Sequence, residues 1–118
     1  MFRVVTAILA LMFVTAASAQ TQVPPNSRLK TIASTKIVKI AYRTDARPFS
    51  FVSNDQPAGF TIDLCKLVVT SLEHQLNVGS LKIEWVPVTL QTRFSAVASG
   101  KADMECGSTT VTLGRMKE

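Results

Sequence analysis

Apolar residues recur at every second position, then at three- and four-residue spacings, then at every second position again, and this change of period constrains the fold more than any other feature. Residues 36–42 alternate and carry the β-branched pair Ile37 and Val38, so they predict a strand. Over residues 62–76, Cys65, Val68, Val69, Leu72 and Leu76 share one face of a helix, which Asn77 and Gly79 stop. Leu81, Ile83 and Trp85 then alternate with Lys82, Glu84 and Val86 in a strand ending at Pro87. Residues 91–99 predict a second helix with Phe94, Val97 and Ala98, closed by Gly100. Residues 103–106 read as a short strand, and a further helix starts from Leu113 onwards. Earlier, residues 43–47 read as a loop ending at Pro48, residues 49–52 as a short extended piece, and residues 54–59 as a turn. Strands alternating with helices in this order predict an α/β layer, a mostly parallel sheet flanked by helices.

The N-terminus reads as a targeting segment. Arg3 precedes an apolar stretch over residues 4–16, and Ala17-Ser18-Ala19 offers small residues for cleavage, so residues 1–19 are expected to be a signal peptide. The stretch is short for a membrane span, the alternative being an N-terminal anchor. Residues 20–28, with Pro24-Pro25, read as a flexible leader, and residues 29–118 as the folded part, opening on a short amphipathic turn at Leu29, Ile32 and Ala33. Loss of Arg3 with the signal peptide lowers the net charge from +5 to +4. Lys36, Lys39, Lys66, Lys82 and Lys101 lie far apart without interleaved aromatics, which argues against nucleic acid. The mature length suffices for one modest core, not two. Cys65 and Cys106 are the only cysteines, and export permits a disulfide. They could pair with each other, remain buried thiols, or find partners elsewhere. With one distant histidine they make no metal set.

In a parallel sheet, ligands bind where the loops leave the carboxyl ends of the strands. Arg43 follows the first strand, and Gly107-Ser108-Thr109-Thr110 follows the last. Hydroxyls and backbone N–H groups in that loop suit a carboxylate, although an ordinary loop ending in a helix cap has the same composition. Arg93, early in the second helix, could hold a carboxylate through two parallel hydrogen bonds, or could be a solvated helix-face charge. Two arginines and a hydroxyl loop at one sheet edge suggest a ligand with two carboxylates, with Arg47 competing for the role of Arg43. Asp63 reads as structural, favoured by the N-terminus of the helix it enters, with Gly59 and Gly107 as structural turn and loop positions. His74 reads as a surface residue, and Trp85 and Phe94 as core. Ser108 lies in no nucleophile motif and no phosphate or dinucleotide fingerprint is present, so neither catalysis nor a cofactor is expected.

Several segments carry a resemblance. Gly59-Phe60-Thr61-Ile62-Asp63-Leu64, Ser99-Gly100-Lys101-Ala102-Asp103-Met104 and Glu105-Cys106-Gly107-Ser108-Thr109-Thr110 resemble the family 3 bacterial extracellular solute-binding proteins, in particular those binding glutamate and aspartate for ABC importers. Ala41-Tyr42-Arg43, Arg47-Pro48-Phe49-Ser50 and Val88-Thr89-Leu90-Gln91-Thr92-Arg93 extend the resemblance to nearly all of residues 29–118. It implies a type II periplasmic-binding-protein fold, two α/β lobes closing over an amino acid, of which residues 29–118 would be part of lobe one only. It also implies a monomer in the periplasm, with an ABC permease and ATPase of the inner membrane as partners. Carried over by position, Arg93 would grip the α-carboxylate with the backbone and hydroxyl of Thr110, Ser108 would accept from the ammonium, and Arg43 would meet a side-chain carboxylate. Thr61 stands where the family has an acidic residue, and Leu90 where the acidic-amino-acid binders present a serine. A sensor module of a signalling receptor and a dehydratase-like enzyme on the same fold are the alternatives. With the second lobe absent, a carboxylate on Arg93 would stay hydrated, so weak amino-acid binding is expected of this chain alone.

Overall fold

The central element of the computed structural model, which describes residues 23–117, is the strand expected near Lys36. The expected signal peptide and the first residues of the leader lie outside this range. Helix α1, Arg28–Thr35, starts one residue before the expected boundary because Ser27 caps it, its Oγ accepting from the Leu29 N–H at 3.2 Å. Lys36 ends it in the left-handed region (φ 60°) and turns the chain directly into β1, Ile37–Arg43. β5, Lys82–Val88, and β6, Met104–Cys106, flank β1, both parallel to it, in the order β5-β1-β6. Between β1 and β5 come β2, Asp45–Ala46, β3, Ser50–Ser53, β4, Gln56–Ala58, and the helix α2, Phe60–Leu76. Helix α3, Arg93–Ala98, joins β5 to β6.

Alternation along the strands decides what each face of the parallel sheet buries. Val38 and Ile40 of β1 are fully buried with Ile32 of α1, Ile62 and Val69 of α2, Leu81 and Cys106, while Ile83 and Trp85 of β5 pack on the same cluster. The opposite face is smaller: Ala41, Val86, Val88 and Ala102 lie against Ala96 of α3. Cys65 of α2 and Cys106 at the end of β6 are joined as a disulfide across a sequence separation of 41. Asp103 locks β1 to the approach of β6. Its Oδ2 accepts from the Lys39 N–H at 2.8 Å, its own N–H donates to Lys39 O at 2.8 Å, and its Oδ1 accepts from Arg28 at 3.1 Å.

Five local expectations are corrected. The segment between β1 and α2 is a small antiparallel sheet, order β2-β3-β4, because Asn54 and Asp55 both take positive φ and turn the chain tightly. β5 runs through Pro87, which pairs in register with Tyr42; β5 is an edge strand of the described sheet, where a proline is tolerated. α3 begins only at Arg93, because the Thr89 and Thr92 hydroxyls each accept from the other's backbone N–H in a turn. The helix expected from Leu113 is a single 3-10 turn, Arg115–Lys117. On α2, Val68 is 45% exposed, so the inward face is the narrower set of Ile62, Cys65, Val69, Leu72 and Leu76.

Candidate functional site

The parallel register collects the carboxyl ends of the three strands at one edge. Arg43 is level with Val88 and Tyr42 with Cys106, so the segments that begin at Thr89 and Gly107 leave the sheet beside Arg43. Arg43 and Glu105 also fall on the same face as Ala41, the face that carries α3.

Arg93 opens α3, with its backbone N–H donating to Thr89 O at 3.2 Å. It is 3% exposed, its guanidinium carbon lies 4.8 Å from the centroid of the Phe94 ring, and its Nε is buried without a hydrogen-bond partner. None of the ion pairs among the described residues includes it. A buried guanidinium without a carboxylate is costly to hold, and solvated helix-face charges are not placed this way.

Arg43 has an immediate partner, which its sequence position did not reveal. Its Nε and Nη2 both meet Asp45 Oδ1, at 2.9 and 2.6 Å. Its backbone is fixed by Ser50, whose fully buried hydroxyl accepts from the Arg43 N–H at 2.9 Å and donates to Arg43 O at 3.0 Å. Arg47, the competing arginine, instead lies over the Phe51 ring at 3.9 Å.

In the hydroxyl loop, Ser108 and Thr110 are exposed, and neither hydroxyl has a partner among the described residues. Thr110 O accepts from Arg115 at 2.9 Å, which brings the end of the described chain back against the loop. Thr109 turns inward, its hydroxyl donating to Glu105 Oε2 at 2.9 Å. Gly107 sits between two charged side chains: an added Cβ would overlap Glu105 Oε1 and lie 3.3 Å from Arg43 Cγ. Phe94, expected in the core, is 41% exposed and helps line a cavity of about 500 Å³ with Val97, Glu105 and Arg115. Thr110 borders a neighbouring depression beside the same ring. Arg43, Arg93 and Ser108 line neither. The edge therefore unites Arg43 with Gly107, and Thr110 with Phe94 and Arg115.

The structural candidates sit at the other end of the β3–α2 connection. Gly59 has φ 124°, and a Cβ there would overlap the carbonyl of Phe49, with the carbonyl carbon at 2.6 Å. Thr61 uses its hydroxyl and its N–H on that carbonyl, at 2.7 and 3.0 Å, which is what a threonine supplies at this helix start. Asp63 is a surface residue of the first turn of α2, 3.3 Å from Lys66. Leu90 is 53% exposed on the way from β5 to Arg93. No cluster of metal-ligating side chains occurs among the described residues, and no helix there is long and apolar enough to cross a membrane.

The sequence profile of the bacterial extracellular solute-binding proteins, family 3, matches residues 38–118. An L-glutamate/L-aspartate-binding protein of Pseudomonas aeruginosa is 37% identical over 92 residues, 76% of this chain and 30% of the relative. Of solved structures, an ancestral cationic amino acid solute-binding protein is 32% identical with a TM-score of 0.67, covering 78% of this chain and 38% of its own. An ancestral cyclohexadienyl dehydratase is 34% identical with a TM-score of 0.66, covering 78% and 36%. The chain spans between 30% and 38% of the length of the curated relatives it matches. The matched segment runs from Val38 in β1 through α3 to the hydroxyl loop and beyond, so it takes in the three parallel strands and the edge where their carboxyl ends meet, and the chain belongs to the family 3 bacterial extracellular solute-binding proteins.

Proposed function

We propose that this chain supplies one wall of a site that captures an acidic amino acid, glutamate or aspartate, in the periplasm for delivery to the permease and ATPase of an ABC importer. One observation carries the reading: Arg93, nearly fully buried at the carboxyl edge of the sheet, keeps an unpaired Nε. A carboxylate is the group that satisfies a buried guanidinium in charge and in geometry. Arg93 therefore takes the α-carboxylate, helped by the Thr110 N–H and hydroxyl, and Ser108 accepts from the ammonium. Arg43 takes the side-chain carboxylate. Asp45 already holds Arg43, so an acidic ligand must share or displace that partner, whereas a neutral side chain gains nothing there.

The 37% identity to an L-glutamate/L-aspartate-binding protein supports the acidic preference, while the likeness to a cationic amino acid binder makes arginine the informative competitor. A single wall leaves the bound carboxylates in water, so the chain alone binds at about 1 mM or weaker. The test is a titration of the ¹⁵N-labelled chain with L-glutamate, L-aspartate, L-glutamine and L-arginine, followed at the amides of residues 107–110. Acidic amino acids shift these resonances, and Arg93→Met abolishes the effect. Saturation by L-arginine at a lower concentration than by L-glutamate refutes the acidic preference. Micromolar affinity of the chain alone refutes the account of its weakness.

The dehydratase likeness favours a second reading, an enzyme on the same fold. Its candidate acid is Glu105, a half-buried carboxylate at the edge with one oxygen fully buried. Turnover of a cyclohexadienyl acid that is lost in Glu105→Gln would favour the enzyme, and binding without turnover the importer.

A further inference from the structure

Glu105 is the middle residue of β6, on the face of the sheet that carries Ala41, Val86, Val88 and Ala102 and, at its edge, Arg43. The residue is half-buried, and taking a carboxylate oxygen out of water there opposes folding unless that oxygen is bonded. Yet only Oε2 has a partner, the Thr109 hydroxyl at 2.9 Å, while Oε1 is buried and unpaired. Oε1 is held against Gly107, where an added Cβ would overlap it. The φ of Gly107 is not in the left-handed region, so what a side chain there would meet is the end of Glu105, which would have to move aside. The carboxylate thus grips the loop at two points, Gly107 by contact and Thr109 by hydrogen bond. Ser108 lies between those points and Thr110 immediately after them.

We propose that Glu105 is a positioning residue, which fixes the Gly107–Thr110 loop from beneath so that Ser108 and Thr110 are set for a ligand before it arrives. The proposal rests on the reading that this loop receives the amino acid, but its structural half is testable without any ligand. Pre-setting the loop removes an ordering cost from binding. It also assigns a role to Thr109, whose hydroxyl faces away from the edge toward the carboxylate.

The experiment is a double-mutant cycle on the full chain with Glu105→Ala, Thr109→Val and their combination, plus Thr109→Ser as the conservative rescue. Amide hydrogen exchange of residues 107–110, without ligand, is compared with that of residues 38–41 in β1, which report global opening. Each single variant is expected to speed loop exchange about tenfold, the combination no further than either alone, and Thr109→Ser to restore the original rate. Gly107→Ala pushes the carboxylate aside and gives the same loop exchange as Glu105→Ala. Unchanged loop exchange in Glu105→Ala, additive effects in the combination, or acceleration only in step with β1 each overturn the proposal. A second arm repeats the L-glutamate titration. If the loop behaves as expected but no amino acid moves its resonances, the ligand reading falls and the positioning of the loop stands. If L-glutamate moves them equally in the original chain and in Glu105→Ala, the link between positioning and binding is overturned while the ligand reading stands.

Discussion

Opening the bridge between α2 and β6 is the perturbation with the most calculable outcome. Cys65 and Cys106 close a loop with a sequence separation of 41. In the chain-entropy treatment, a loop of that size constrains the unfolded chain enough to contribute about 4 kcal/mol to folding. A globular chain of this length is stable by roughly 5 to 14 kcal/mol, so reduction removes a large fraction of the total. With a urea dependence of about 1.5 to 2 kcal/mol per molar, the midpoint falls by about 2 to 2.7 M. The assay is urea unfolding with and without a thiol reductant. Trp85, the single tryptophan, packs edge-on to Tyr42 at 5.9 Å beside the main core and reports the transition by fluorescence. The variant carrying both Cys65→Ala and Cys106→Ala is the control and must ignore the reductant. A midpoint change below about 0.5 M in protein verified as fully oxidised would refute the reasoning, because the bridge would then constrain nothing that the fold does not already hold.

Three further outcomes follow from single contacts. Gly59→Ala forces a Cβ into the Phe49 carbonyl at a positive φ and should cost about 2 kcal/mol or more, a melting temperature lower by roughly 8 °C or more in a thermal scan. Asp103→Ala strands the Lys39 N–H and should cost about 2 kcal/mol, whereas Arg28→Ala removes only a half-exposed partner of the same carboxylate and should cost under about 1 kcal/mol; equal urea midpoints for the two would contradict this ranking. Ser50→Ala deprives Arg43 of both backbone contacts and should cost about 1 to 3 kcal/mol, with the largest amide shift changes at Arg43 and Asp45; changes spread evenly over the chain would argue against a local role.

The parallel sheet was legible because the pattern is redundant: Val38 and Ile40 alternate with Ile37 and Lys39, α2 repeats Cys65, Val69, Leu72 and Leu76, and Asn77 and Gly79 end it. Features that depend on one residue meeting a distant one were not. Pro87 reads locally as a strand end, and only the strand order shows that it lies on an edge. The β2–β4 sheet is built from strands of two to four residues, too short for alternation to register. Val68 satisfied the helical spacing and still faces outward, because spacing identifies a stripe but not its width. At the candidate site, strand-end logic alone predicts that Arg43 and the hydroxyl loop share the carboxyl edge of the sheet, where Arg43 does lie beside Gly107. Asp45 and Glu105 could not be found that way, since both act on neighbours that the turns bring back. The alternation of Met104, Glu105 and Cys106 was the one available signal, placing a carboxylate opposite two core residues.

The strand at the centre of the sheet is also the one made first. Lys39 waits for Asp103, 64 positions later, and Ile37 waits for Lys82. A chain emerging from its N-terminus therefore carries β1 with both hydrogen-bonding edges bare until most of the sequence has followed. Closing such distant pairs is slow, and open strand edges invite association. Any factor that keeps the emerging chain extended works with its topology, since no partial length short of β5 gives β1 either of its sheet partners.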